Sequence, residues 1–254
     1  MLAAAGGWVL TGLGVAGRCM FLLVHLVCQL PRVWRVRRQL FKQMEFAGFG
    51  SVGVLCLITT LTGVIMVMAI APTMAKYGGL QYLGFMLGGA FCRELGPLWA
   101  AVIILARVGS AMAAEIGTMN VNEEVQALRV MDIDPVRYLV LPRILGLMLV
   151  MPLLTAIGDV VGLYGSALVA QLAFNYSVAD FFESMRANLD GGLFLGGIAK
   201  SIVFGLAIGL IACDQGLHTE GGAEGVGRST TNTVRLSVIY VLILDLVIPM
   251  PELA

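Results

Sequence analysis

The run from Leu80 to Ala106 is long and apolar, yet it carries Arg93 and Glu94 near its middle. A bilayer crossing needs about 20 mostly apolar residues, so this stretch has the length of a transmembrane helix. Ionised groups at that depth are costly, roughly 2.5–3.5 kcal/mol for arginine on insertion scales, so they face a polar cavity or a partner. Neighbouring side chains on a straight helix point about 100° apart, so Arg93 and Glu94 are not expected to satisfy each other. Pro97 lies four residues after Arg93. It removes the amide that the Arg93 carbonyl would accept and predicts a kink. Two readings stand for this polar, bent place: a substrate-facing site, or a structural ion pair with other helices.

Composition extends the membrane reading to the whole chain. With 254 residues, 59% hydrophobic, 13% charged and a mean hydropathy of +0.91, the sequence predicts a single all-α integral membrane domain over 1–254. A net charge of zero leaves no nucleic-acid footprint. Cys19, Cys28, Cys56, Cys92 and Cys213 have neither metal nor redox spacing, and His25 and His218 are isolated. The cysteines are read as small buried hydrophobes, and no metal site is expected. The stretch GGLFLGGIAKS at 191–201 looks like a phosphate loop, but its lysine does not follow the glycine as G-x-x-x-x-G-K-[ST] requires. No cofactor is therefore expected in this chain. If it is driven by ATP, the ATPase is another polypeptide.

Taken in order, the chain has no basic residue before Arg18, unlike a signal peptide. Over 8–32, Thr11, Arg18, His25, Gln29 and Arg32 recur at spacings of 7, 7, 4 and 3, forming one polar stripe on an apolar helix. That pattern suits an amphipathic helix lying in the membrane interface, with a sixth span as the alternative. A basic linker follows at 33–45, and then a five-span core over 46–254. The spans are expected near Phe46–Ala71 (closed by Pro72), Leu80–Ala106, Ile144–Phe174, Leu193–Cys213 and Leu236–Leu253. Loops assigned to the cytoplasm hold eleven basic residues: Arg32, Arg35, Arg37, Arg38, Lys42, Arg107, Arg129, Arg137, Arg143, Arg228 and Arg235. The outer loops, at Lys76 and within 175–192, hold two, Lys76 and Arg186. This bias puts the N-terminus in the cytoplasm and the C-terminus outside.

Three local features complete the reading. Asn120-Val-Asn-Glu123 has the form of a capping box, which predicts a polar helix over about 120–131 on the cytoplasmic side. That helix is either a solvated connection or a docking surface for a cytoplasmic partner. Asp134-Pro135 reads as the N-cap and first residue of the next helix, and 214–235 as a mobile polar loop. Lys200 and Asp245 reach a similar depth on antiparallel spans, so a structural ion pair is expected between them, with Asp159 and Glu94 as rival partners for the lysine.

Several of these stretches together resemble the MlaE/YrbE family of ABC transporter permeases. They are Arg-Glu-Leu-Gly-Pro at 93–97, Ala-Arg-Val-Gly-Ser-Ala at 106–111, Ala-Glu-Ile-Gly-Thr-Met at 114–119, Asp134-Pro135 and Pro142-Arg143. Pro152-Leu-Leu-Thr155, Lys200-Ser201 and Arg228-Ser-Thr-Thr231 are similar too. The resemblance covers about residue 45 to the C-terminus. It implies a homodimeric bacterial inner-membrane permease that moves phospholipid between inner and outer membranes and so maintains outer-membrane lipid asymmetry. Its implied partners are a cytoplasmic ABC ATPase, which holds ATP and Mg, a periplasmic MCE-domain protein and, in related complexes, a STAS-domain protein. The resemblance also implies phospholipid binding near Arg93, Glu94 and Pro97. Coupling to the ATPase is implied through Asn120, Glu123, Glu124, Ala127, Leu128 and Met131. Here the chain departs from the family's pattern, with Asn120, Val121 and Asn122 where a more basic start is usual and Arg129 where an acid is usual. The rival functional readings are a secondary transporter using the intramembrane charges as an ion relay, and a non-transporting membrane anchor.

Overall fold

The computed structural model describes residues 2–29, 37–188 and 191–248, and among them every element is helical. The expectations placed on Arg32, Arg35, the end of the last span at Leu253 and the side chain of Thr11 fall outside what is described. The elements are α1 (Leu2–Gln29), α2 (Arg37–Lys76), α3 (Leu80–Val121), α4 (Glu124–Val130), α5 (Val136–Phe174), α6 (Val178–Asn188), α7 (Gly191–Leu217) and α8 (Gly222–Val247). Five of them, α2, α3, α5, α7 and α8, are long and apolar enough to cross a membrane, and α1 precedes them.

The spans are longer than the sequence suggested. Helix α2 runs through Pro72 to Lys76, so the proline is carried within the last turns and does not end the element. The expected mobile loop at 214–235 is helix except for a turn around 218–221. Part of its polarity faces inward: Gly225, Ser229 and Thr233, continued by Ser237 and Val241, form a buried stripe at four-residue spacing on α8. Such small side chains let helices approach closely. Ser229 Oγ donates to the Gln215 carbonyl at 2.8 Å, and Thr233 returns its proton to the Ser229 carbonyl at 2.9 Å.

The chain groups into two compact units. The first comprises Met1–Ala47, Ile104–Leu149 and Val203–Ala254. In it the end of α3 packs along α8, and α1 packs against the first turns of α5. The polar stripe of α1 is turned onto carboxylates of this unit. Arg18 holds Asp214 with two bonds, Nε to Oδ1 at 2.9 Å and Nη2 to Oδ2 at 3.1 Å. His25 Nε2 and Gln29 Nε2 each lie 2.9 Å from Asp134 Oδ2. Asp134 Oδ1 accepts the Val136 amide at 3.0 Å, which confirms the cap expected from Asp134-Pro135. Arg143, 5% exposed, pairs with Glu115 at 2.9 Å and ties α5 to α3.

The second unit comprises Gly48–Ile103 and Val150–Ile202. Its core is built from Val67, Leu83, Leu87, Phe91, Leu163 and Phe181, among others. The segment 175–192, read from sequence as an external loop, contains α6, whose Phe181 is fully buried. Gly84 makes that docking possible, because a Cβ there would overlap the Phe181 carbonyl.

Candidate functional site

The polar place in α3 is a π-helical turn, Phe91–Leu95. Pro97 has no amide hydrogen, and the ladder adapts upstream: the Gly96 amide reaches back five residues to the Phe91 carbonyl. The expected kink is thus accommodated as a π-bulge, which packs an extra residue into the turn. A second π-turn, Leu105–Gly109, follows lower in the same helix.

The bulge changes where the charges point. Arg93 Nε lies 3.5 Å from Glu94 Oε1, so the two neighbours do pair, contrary to the expectation for a straight helix. The reason is geometric: a π-turn takes more residues per turn, so adjacent side chains diverge less, and both are long enough to bend together. Glu94 Oε2 in turn accepts from Lys200 Nζ at 2.6 Å. Glu94, one of the rival partners considered for Lys200, is therefore in hydrogen-bond contact with it. Depth along a span does not by itself reveal this contact, since it says nothing about which helix faces which.

The exposures within this triad are unequal. The Lys200 side chain is 4% exposed, those of Glu94 and Arg93 36% and 42%. Lysine is the buried anchor, and the guanidinium with the outer edge of the carboxylate forms the accessible part. A guanidinium in such a setting is a planar donor matched to phosphate or carboxylate. Beneath it, Asp159 packs its carboxyl group onto Gly96, where a Cβ would overlap Oδ1. Asp159 is 2% exposed, and neither oxygen has a hydrogen-bond partner among the described residues. Pro97 takes part through the backbone and through contact with the helix at Gly197.

The polar connection after α3 is shorter than expected. Helix α3 continues through Val121, and α4 covers only Glu124–Val130. The capping box does not form: Asn120 Nδ2 donates to the Thr219 carbonyl at 3.1 Å, and Glu123 adopts a left-handed φ of 62° with no side-chain cap bond. The amide of Asn120 is drawn to a carbonyl left over at the turn after α7, which no local pattern reveals. Glu123, Glu124, Ala127 and Met131 are exposed, Leu128 is half-buried, and Val125 is the inward anchor. Val130, which the capping argument did not single out, is 87% exposed. Among the described residues there is no cluster of His, Cys, Asp and Glu able to hold a metal ion.

The pattern of the MlaE permease family matches residues 40–250. A chloroplast protein of Arabidopsis thaliana named trigalactosyldiacylglycerol 1 is 36% identical over 83% of this chain, which spans 60% of that protein. A probable ABC transporter permease protein of Rickettsia typhi is 35% identical over 80% of this chain and 79% of its own length. One from Synechocystis is 36% identical over 82% of this chain and 79% of its own.

Proposed function

The chain belongs to the MlaE permease family, and on that premise we propose that it is the permease subunit of an ATP-driven transporter moving phospholipid between inner and outer membranes, in support of outer-membrane lipid asymmetry. The observation that carries this reading is the Arg93–Glu94–Lys200 triad. An apolar span holds a guanidinium that is 42% exposed and is anchored through Glu94 to a lysine only 4% exposed. A headgroup phosphate is the ligand that this donor suits, and the surrounding apolar residues suit acyl chains. The plant relative, named for a glycolipid, and the bacterial relatives, named as ABC transporter permeases, support a lipid cargo and an external ATPase.

In this mechanism two copies of the chain enclose the lipid, with Arg93 at the headgroup, Glu94 orienting it and Pro97 with the π-turn setting the bend. A cytoplasmic ABC ATPase holds ATP and Mg and acts on the exposed face of α4, through Glu123, Glu124, Ala127, Leu128, Val130 and Met131. Asn120 secures the end of α3 behind that face. Closure of the ATPase moves α4, the spans pinch, and lipid leaves toward a periplasmic MCE-domain protein. A STAS-domain protein completes the assembly on the ATPase. The basic residues counted in the connections on the side of α4 support a cytoplasmic position for α4 and the N-terminus at an inner membrane, with the C-terminus in the periplasm.

Native mass spectrometry of the membrane-extracted assembly tests the proposal. An ATPase and lipid should accompany a pair of these chains, and Arg93→Ala and Glu94→Ala should each reduce bound lipid without loss of assembly. Unchanged lipid occupancy in both variants would reduce the triad to scaffold.

A further inference from the structure

The first unit contains a polar cleft between the start of α2 and the start of α5. It measures about 450 Å³, within the range of small-molecule sites, and is lined by Arg38, Gln39, Asp132, Ile133, Arg137 and Tyr138, with Asp134 at its edge. Asp134 is occupied by His25, Gln29 and the Val136 amide. The other charged groups differ. Among the described residues, the side chains of Arg38, Arg137 and Asp132 hold no ion pair or hydrogen bond. Two guanidinium groups and one carboxylate thus face a single polar space without having neutralised one another.

The position of the cleft narrows its ligand. At 40 residues α2 is about 60 Å long, roughly twice the hydrocarbon thickness of a bilayer, so its first turns project beyond the lipid tails. Beside the cleft Phe41 is 67% exposed and Tyr138 42%, an arrangement typical of the headgroup level, where aromatic rings sit with one edge wet. Two guanidinium forks suit a phosphate, and a carboxylate suits a primary ammonium. A phosphoethanolamine headgroup carries both on one short linker. A glycerol headgroup would bring the phosphate but offer Asp132 only a neutral diol and no cation, and a choline would bring a cation with no N–H to donate. We propose that this cleft binds the headgroup of an aminophospholipid from the adjoining leaflet, at a site distinct from the Arg93–Glu94–Lys200 triad.

The test uses the full-length protein in its assembly, with Arg93→Ala as background so that lipid held at the triad does not contribute. It is exchanged into nanodiscs of equal phosphatidylethanolamine, phosphatidylglycerol and phosphatidylcholine, and retained lipids are counted by native mass spectrometry. Phosphatidylethanolamine should be retained in preference by about fivefold or more. Arg38→Gln with Arg137→Gln should abolish that retention, and Asp132→Asn should erase the preference for the ethanolamine lipid while phosphatidylglycerol is kept. Equal retention of the three lipids overturns the proposal, as does a preference that survives Asp132→Asn. Displacement by soluble phosphoethanolamine at concentrations matching the lipid would assign the cleft to a free metabolite and overturn the lipid source. Because the readout is taken without Arg93, a failure here leaves the transport reading intact, and the converse holds as well.

Discussion

Removing either end of the Glu94–Lys200 bond should have unequal consequences. Glu94→Gln takes from Lys200 the carboxylate oxygen 2.6 Å away, and the ammonium left behind is on a side chain only 4% exposed. Removing a carboxylate partner from a buried charge costs about 3–5 kcal/mol. Lys200→Met is milder: Glu94 keeps Arg93 at 3.5 Å, its side chain is 36% exposed, and the methionine fills the space apolarly. An ion pair with one partly exposed partner contributes about 1 kcal/mol once solvent screening is allowed for. At roughly 2–4 °C per kcal/mol for a chain of this size, Glu94→Gln should lower Tm by about 6–20 °C and Lys200→Met by about 2–4 °C. The double variant should fall close to Lys200→Met alone, since the amide then faces no buried ammonium. Thermal unfolding in one detergent, followed by intrinsic fluorescence, reads all three. Additive losses, or a Lys200→Met variant less stable than Glu94→Gln, would refute the view that lysine is the buried anchor.

Other outcomes follow from the packing. Gly96→Ala should destabilise by about 2 kcal/mol through overlap with the Asp159 carboxyl group, and Asp159→Ala in the same chain should recover part of the loss in a thermal-shift assay. Asp214→Asn weakens the two-bond hold of Arg18, worth about 1.5–3 kcal/mol, and amide exchange over 14–29 should speed up accordingly. Burial, with the Asp214 charge adding to it, pushes the Cys19 thiol up to about 12, so its thiolate stays scarce at neutral pH. Maleimide modification of Cys19 should therefore accelerate about tenfold for each unit of pH from 8 upward, and a rate that levels off below pH 10 would contradict that environment.

How much of this could be read in advance differs from element to element. The spans, the α1 helix and a disturbed hydrogen-bond ladder ahead of Pro97 were legible because hydropathy and a missing amide are properties of the local chain. The loop expected at 214–235 was not, since inward-facing Ser229 and Thr233 have the composition of a polar loop and only their four-residue spacing reveals a packed face. The capping box at Asn120 failed for a related reason: the Thr219 carbonyl, 99 residues away, competes for the amide. At the site itself, Arg93 and Glu94 declared themselves by their cost in an apolar run, but their mutual contact depended on the π-turn.

The sequence alone determined that the chain is a helical membrane protein with charges it must shelter, because burial of charge is costly wherever it occurs and apolar length is read residue by residue. Only the tertiary structure decided which charge shelters which. Glu94 for Lys200, Asp214 for Arg18 and Asp134 for His25 are pairings between helices distant in sequence. Facing and register between helices are set by side-chain packing across their contact, which no single segment contains.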